Sequence, residues 1–458
     1  MRKRMKVLLI HPNMGLRRSI NHGITSMSAA IKGRGHDCKL IQIQKYSAIN
    51  LLKQIREICP DIIGISLTEN HHKQMEELGG LIKAQLGLKI FVGGPFPSAY
   101  PEWINECEWI DGLCLGEGEK SFTEVITKIS KDRDYKDTLG FWFSGENGII
   151  KNDLCPLDAD LDSLPFPDIE IFDRETILTY PAFSFSRGCP FKCTYCCAPL
   201  FQERFGKETR FKSAERAIQE IKHMIGYCNP DILYFDDDTF FKSREWLVKF
   251  IRLYKIEINK PFCCNTRPET VNEEMVVMLK DANCTSIGIG LESGDEGLRM
   301  NMLSRQTKDE KTIDAFEICK RVGINTMTFN MVGIPGETKI KFEKTIELNK
   351  RIVPYSAQLT IFYPYRGTVL GELAYKEGYV VRRDGHPTFF GRGILSLPEF
   401  SLKEIESSAL WFHYKVYKDT NYKKACYLLF RDYLMRYRSL FRMAQLLLKV
   451  ITVQINRK

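Results

Sequence analysis

The 458-residue sequence contains no apolar run approaching the roughly 20 residues a membrane-crossing helix requires, which argues against an integral helical membrane protein. A secretory leader is not expected either. Met1-Arg2-Lys3-Arg4-Met5-Lys6 is basic, but the apolar stretch behind it, Val7 to Ile10, is too short for a leader and reads as a first strand. Acidic residues are nearly missing from the end. From Asn421 to Lys458, nine Lys or Arg face Asp432 alone, so +8 of the net +9 sits in that tail and the body is close to neutral. No nucleic-acid partner is therefore expected. The tail reads as a helix with one basic face, packed on its own body or lying on an anionic membrane. Fifteen cysteines without a leader argue against a disulfide scaffold and for a reducing, cytoplasmic setting, soluble or peripheral to a membrane. The length exceeds one hydrophobic core, so two domains with extensions are expected.

The most informative stretch is Ser186-Arg187-Gly188-Cys189-Pro190-Phe191-Lys192-Cys193-Thr194-Tyr195-Cys196-Cys197. Cys189, Cys193 and Cys196 follow a C-x3-C-x2-C spacing that lets three thiolates hold three corners of a [4Fe-4S] cluster, leaving the fourth iron open to a ligand. A zinc knuckle is the alternative, but zinc wants four protein ligands, and no second cysteine pair with a partner histidine follows. With Tyr195 before the last cysteine, the run resembles the signature of the radical S-adenosylmethionine (SAM) superfamily. The resemblance implies that Cys189, Cys193 and Cys196 ligate the cluster and that SAM binds the open iron.

Ahead of it, residues 1–131 alternate apolar strands with helical stretches, as in a doubly wound parallel sheet. Ligands of such sheets sit beyond the strand carboxyl ends. Those ends carry Asn13, Ser66 and Thr68, Gly93 and Gly94, and Gly116, Glu117 and Gly118. Small residues there let a large flat ligand approach the backbone. Their order resembles the cobalamin-binding domain that precedes many radical SAM domains, which implies that these eight residues face cobalamin. The Asp-x-His-x-x-Gly motif that places a histidine on cobalt is absent. His11 is not expected to be a ligand, and His71 with His72 reads as an exposed helix cap pair.

Residues 132–180 read as a hairpin and a proline-rich connector without chemistry. Residues 181–364 hold six βα units, the pattern of a partial TIM-like barrel with polar residues at its strand ends. The resemblance places Asp236, Asp237 and Asp238 near the methionine amine of SAM, Asn265, Arg267, Glu292 and Ser293 near its ribose and carboxylate, and the Gly333-Ile334-Pro335-Gly336-Glu337 turn near adenine. Cys197, Cys263 and Cys264 read as small packing residues. Residues 365–458 form an extension with the basic helix, in which Phe389, Phe390 and Phe400 could contribute to a substrate pocket.

The implied protein is a cobalamin-dependent radical SAM enzyme. It would cleave SAM reductively to a 5′-deoxyadenosyl radical and methylate an unactivated carbon of a small-molecule or lipid substrate, with a flavodoxin- or ferredoxin-type reductant. Cyclisation or rearrangement without methyl transfer, methylthiolation, and a non-enzymatic cobalamin or redox sensor are the alternatives.

Overall fold

The computed structural model describes residues 3–14, 18–381 and 392–436. They form two compact units, one drawn from Met1–Asn265, Val277–Thr285 and Tyr365–Thr368, the other from Thr266–Val276, Ser286–Pro364 and Val369–Lys458.

The first unit opens with alternating elements: β1 (Lys6–Pro12), α1 (His22–Gly33), β2 (Asp37–Ile43), α2 (Ala48–Ile58), β3 (Ile62–Ser66), α3 (His72–Leu86), β4 (Lys89–Gly93), α4 (Pro95–Ala99), β5 (Gly112–Cys114) and α5 (Gly118–Ser130). The five strands are parallel in the order β2-β1-β3-β4-β5. β1 is apolar and buried almost throughout, as a strand covered on both faces must be, whereas the edge strand β2 alternates. The hairpin β6 (Phe141–Gly145) and β7 (Gly148–Lys151), expected in the connector, adds two antiparallel strands to β5. Its docking satisfies the open edge of a three-residue strand, and the Phe143 ring lies where a Gly112 side chain would be.

Next come α6 (Arg174–Thr179), β8 (Ala182–Phe183), β9 (Ser186–Arg187), α7 (Ala198–Phe205), β10 (Arg210–Phe211), α8 (Ala214–Cys228), β11 (Leu233–Phe235), α9 (Arg244–Glu257) and β12 (Phe262–Thr266). β8, β11 and β12 are parallel neighbours. The strand that begins at Ala182 does not run on through Ser186. Instead it breaks at Ser184, because the Phe185 and Ser186 N–H groups donate to the Asp237 carboxylate and β9 turns to pair with β10.

The second unit contains α10 (Glu273–Asp281) in part, most of β13 (Cys284–Glu292), α11 (Glu296–Asn301), α12 (Asp309–Val322), β14 (Asn325–Val332), α13 (Lys339–Ile352), β15 (Ser356–Ile361), α14 (Val369–Lys376), α15 (Leu402–Tyr417) and α16 (Tyr422–Arg436). β13, β14 and β15 are parallel, so the six barrel strands fall three largely in each unit. α15 begins with a Ser401/Glu404 capping box. Phe400 is fully buried with Phe342 and Phe412 in the core, so it does not face a substrate. Gly15, Phe389, Phe390 and the tail beyond Arg436, including Arg438, Arg442, Lys449, Arg457 and Lys458, lie outside the described residues.

Two adjacent glycines of α3 differ in what surrounds them. A Cβ on Gly79 would stand 2.1 Å from the buried Trp109 ring, whereas nothing lies within 4 Å of one on Gly80. Gly79→Ala is expected to destabilise the protein by about 2 kcal/mol or more through overpacking. Gly80→Ala should stabilise by about 0.5–1 kcal/mol through helix propensity. Chemical denaturation of the two variants measures both, and equal effects would contradict the Gly79–Trp109 approach.

Candidate functional site

The cysteine loop leaves β9 at Gly188, whose φ of +86° and a backbone carbonyl 3.1 Å from any added Cβ require glycine. Lys242 Nζ holds the loop base, donating to Ser186 Oγ at 2.7 Å and Gly188 O at 2.9 Å. Gln202 of α7 donates to Cys189 O, and Cys196 N donates to Cys193 O at 3.1 Å. Cys193 is buried, Cys189, Cys196 and Tyr195 are half-buried, and none of the cysteines is in a disulfide. Among the described residues no three His, Cys, Asp or Glu side chains are gathered as for a single metal ion. Three thiols on a braced loop fit a [4Fe-4S] cluster better than zinc.

The aspartate triplet is divided among three tasks. Asp236 accepts from Tyr180 at 2.7 Å, and burial pushes its carboxyl up to about 6. Asp237 is buried beneath β9, accepting from the Phe185 and Ser186 N–H groups and the Ser186 hydroxyl, so it shapes the loop from below. Asp238 is exposed and lies in the electrostatic surroundings of Cys189 and Cys196, which leaves it as the member placed to meet a ligand there. Asn265 is half-buried, and its carbonyl accepts from Phe240 N at 2.8 Å. Tyr365, absent from the expected site residues, is half-buried near Glu69, Cys196 and Cys197. Cys264 is buried, while Cys197 and Cys263 are only half-buried.

A cavity of about 330 Å³ lies in the same unit. Ser66, Gly93, Gly94, Gly116, Glu117 and Gly118 line it; Asn13 and Thr68 do not. Asn13 is buried elsewhere, and Thr68 bonds Asn70 at 2.7 Å and His71 at 3.2 Å. Where its floor is glycine, side chains would collide: a Cβ on Gly64 would be 3.0 Å from Leu9 and Phe122, and one on Gly118 would be 2.5 Å from Met27. The connector has a role after all, since Leu164–Pro167 forms one wall, with Arg216 stacked 3.8 Å above the Phe166 ring. The cleft is lined mostly by apolar groups with a few polar ones, as sites for small molecules and cofactors are.

Charged residues that the strand-end pattern could not reveal join this cavity to the cysteine loop. Arg187, two residues before Cys189, pairs with Glu117 at 2.9 Å and Glu119 at 2.6 Å. Arg210 also reaches Glu117, at 3.2 Å, and Ser26 donates to Glu119 at 2.6 Å. Burial alone would raise Glu119, but Arg187 and these hydrogen bonds hold its carboxyl below the usual range. His22 lines the cavity as a neutral imidazole, lowered to about 4 by burial with Lys212 and Arg187 nearby. His71 is buried against Thr68 and Met14 O, and His72 bonds Glu69 O, so the expected exposed pair is instead built into the β3–α3 turn.

In the second unit Arg267 is buried against Glu269, Nε to Oε1 at 2.6 Å, and Thr307 donates to the same carboxylate at 2.9 Å. Glu292 has a φ of +65° at the bulge of β13 and pairs with Arg305 at 3.3 Å. Positive φ in a residue with a side chain is strained, and such strain gathers at functional sites. Ser293 is fully buried and accepts from Asp295 N at 3.2 Å. Glu337 turns inward, accepting from Gly333 N at 2.7 Å and Ile334 N at 3.4 Å within its own turn.

A parallel sheet ending in a glycine-floored cavity, followed by a braced three-cysteine loop, defines an α/β enzyme built for two cofactors. The radical SAM superfamily pattern matches residues 183–348, and the B12 binding domain pattern matches residues 18–126. An uncharacterized methyltransferase of Pyrococcus horikoshii is 28% identical over 390 residues, spanning 81% of this chain and 83% of that protein. The anaerobic magnesium-protoporphyrin IX monomethyl ester cyclase of Rubrivivax gelatinosus is 24% identical, over 76% of this chain and 58% of its own length. The solved radical SAM methyltransferase TsrM of Kitasatospora setae, with cobalamin and a [4Fe-4S] cluster bound, superposes with a TM-score of 0.66 at 18% identity, over 83% of this chain and 76% of that one. The chain thus combines a B12 binding domain with a radical SAM domain behind it, the order found in the relatives it resembles. Its cofactors are a [4Fe-4S] cluster, SAM and cobalamin.

Burial pushes Glu337 up from 4.5 to about 8, although its two backbone donors favour the charged form. The folded chain thus holds this proton more tightly than the unfolded chain. Its contribution to stability is complete below the unfolded value of 4.5 and is lost as pH rises toward about 8. Glu337→Gln, which keeps an acceptor and cannot ionise, should therefore gain in Tm relative to the parent between about pH 5 and about pH 8. A Tm difference independent of pH would mean that Glu337 ionises normally in the fold.

Proposed function

We propose that the protein is a cobalamin-dependent radical SAM methyltransferase that methylates an unactivated carbon of a small-molecule or lipid substrate. The observation that carries this reading is the ion-pair bridge from Arg187, at the base of the cysteine loop, to Glu117 and Glu119 at the cavity. It favours a site in which the two cofactors serve one reaction. When bound, the cluster with SAM supplies a hydrogen-abstracting radical, and cobalamin supplies the methyl group.

In this reading Cys189, Cys193 and Cys196 hold the cluster, and Tyr195 shields one side of the loop. Asp237 and Lys242 fix the loop base without touching substrate. Asp238 orients the SAM amine, and Asn265 serves its ribose and carboxylate. Ser66 and the glycines 93, 94, 116 and 118 admit part of cobalamin. Glu117 positions Arg187. A flavodoxin- or ferredoxin-type protein supplies the electron.

Cyclisation or rearrangement with the same cofactors is the second reading, supported by the similarity to the Rubrivivax cyclase. Methylthiolation is less well supported. It calls for a second cluster on N-terminal cysteines, yet Cys38, Cys107 and Cys114 are buried apart along the fold and Cys59 is exposed at the end of α2.

Anaerobic reconstitution with iron, sulfide and cobalamin, followed by turnover with dithionite and methyl-labelled SAM in a lysate extract, tests the proposal. Both 5′-deoxyadenosine and S-adenosylhomocysteine are expected, with label in one product. Deoxyadenosine without the homocysteine product would overturn methylation and favour the cyclase reading. No SAM cleavage at all would favour a sensor.

A further inference from the structure

The α15–α16 pair in the second unit presents an uncovered aromatic face. Along α16, Tyr422, Phe430 and Tyr427 share an arc of about 140° at 100° per residue, and they are 62%, 57% and 66% exposed. The opposite side is occupied: Ala425 and Leu428 pack on the core, and Asp432 bonds His413 at 2.5 Å. The patch continues onto α15, because the Tyr422 ring meets Tyr414, which in turn meets the exposed Trp411. A contiguous exposed aromatic surface on two packed helices is uncommon unless something covers it.

Charge indicates the kind of surface that would cover it. Lys418 and Lys423 are exposed at the edge of the patch, and the sequence from Asn421 onward carries nine basic residues against one acid. That single acid, Asp432, is turned inward to His413 and Arg431. Asp419, between the helices, is matched by Lys350 at 3.6 Å. Tyrosine and tryptophan pair an apolar body with a polar tip, which suits the boundary between lipid chains and head groups. Lysine at the margin suits anionic head groups.

We propose that the α15–α16 face docks the protein on an anionic lipid surface. Trp411, Tyr427 and Phe430 enter the head-group layer, and Lys418 and Lys423 lie against lipid phosphate. No helix of the described residues is long and apolar enough to cross a membrane. The inference is independent of which reaction the site performs.

Co-sedimentation of the full-length protein with phosphatidylcholine vesicles, and with vesicles containing phosphatidylglycerol, tests it. About tenfold more protein should bind the anionic vesicles at low salt, with most of that gain lost at high salt. The Tyr427→Ser/Phe430→Ser double variant should bind about fivefold more weakly while its circular dichroism and SAM cleavage match the parent. Equal binding to both vesicle types, or equal binding of parent and variant, would overturn the proposal. A variant that altered only self-association in gel filtration would assign the face to a second copy. Loss of binding to RNA rather than to vesicles would assign it to nucleic acid.

Discussion

The buried Asp237 carboxylate is the interaction on which the site depends. It accepts from the Phe185 and Ser186 N–H groups and from the Ser186 hydroxyl. Without it, two backbone donors would be left inside an aromatic core, each costing about 1–3 kcal/mol unmade. With it, the first barrel strand stops after Phe183, and the chain turns outward as β9 into the cysteine loop. Lys242 completes the arrangement by bonding the Ser186 hydroxyl and the Gly188 carbonyl, which places a positive charge beside the buried carboxylate. Three cysteines spaced for a cluster would have no fixed base without this break in the strand.

The second constraint is the set of ion pairs around Arg187. Charges taken largely out of water persist only when paired. Arg187 satisfies Glu117 and Glu119, while Arg210 shares Glu117 from the neighbouring strand β10. The bridge therefore restricts how β9 can move relative to the glycine-rich turn before α5. In the reading favoured for this protein, the group filling the cavity and the group on the cysteine loop are held in register by these side chains.

Features with a local signature were legible in the sequence. The C-x3-C-x2-C spacing marked the cysteine loop, near-continuous apolar runs marked the parallel strands, and six of the eight strand-end residues expected to face cobalamin line one cavity. Long-range pairings were not legible. Nothing local separates Asp237 from its neighbours, and only the fold shows that it faces inward while Asp238 stays exposed. The connector residues Leu164–Pro167 read as a linker because proline marks a boundary, yet the same rigid stretch walls the cavity. His71 looked like an exposed cap because its burial depends on Met14, 57 residues earlier. Phe400 looked available to a substrate because its packing partners lie on α13 and α15.

The central claim is that Cys189, Cys193 and Cys196 hold the cluster while Cys197, beside them, does not. Iron and sulfide content, with the visible absorption of the anaerobically reconstituted protein, should be measured for alanine variants of all four. The account predicts loss of the cluster signal and of SAM cleavage in the first three and their retention in Cys197→Ala. A full cluster in Cys193→Ala, or loss in Cys197→Ala equal to the others, would contradict it.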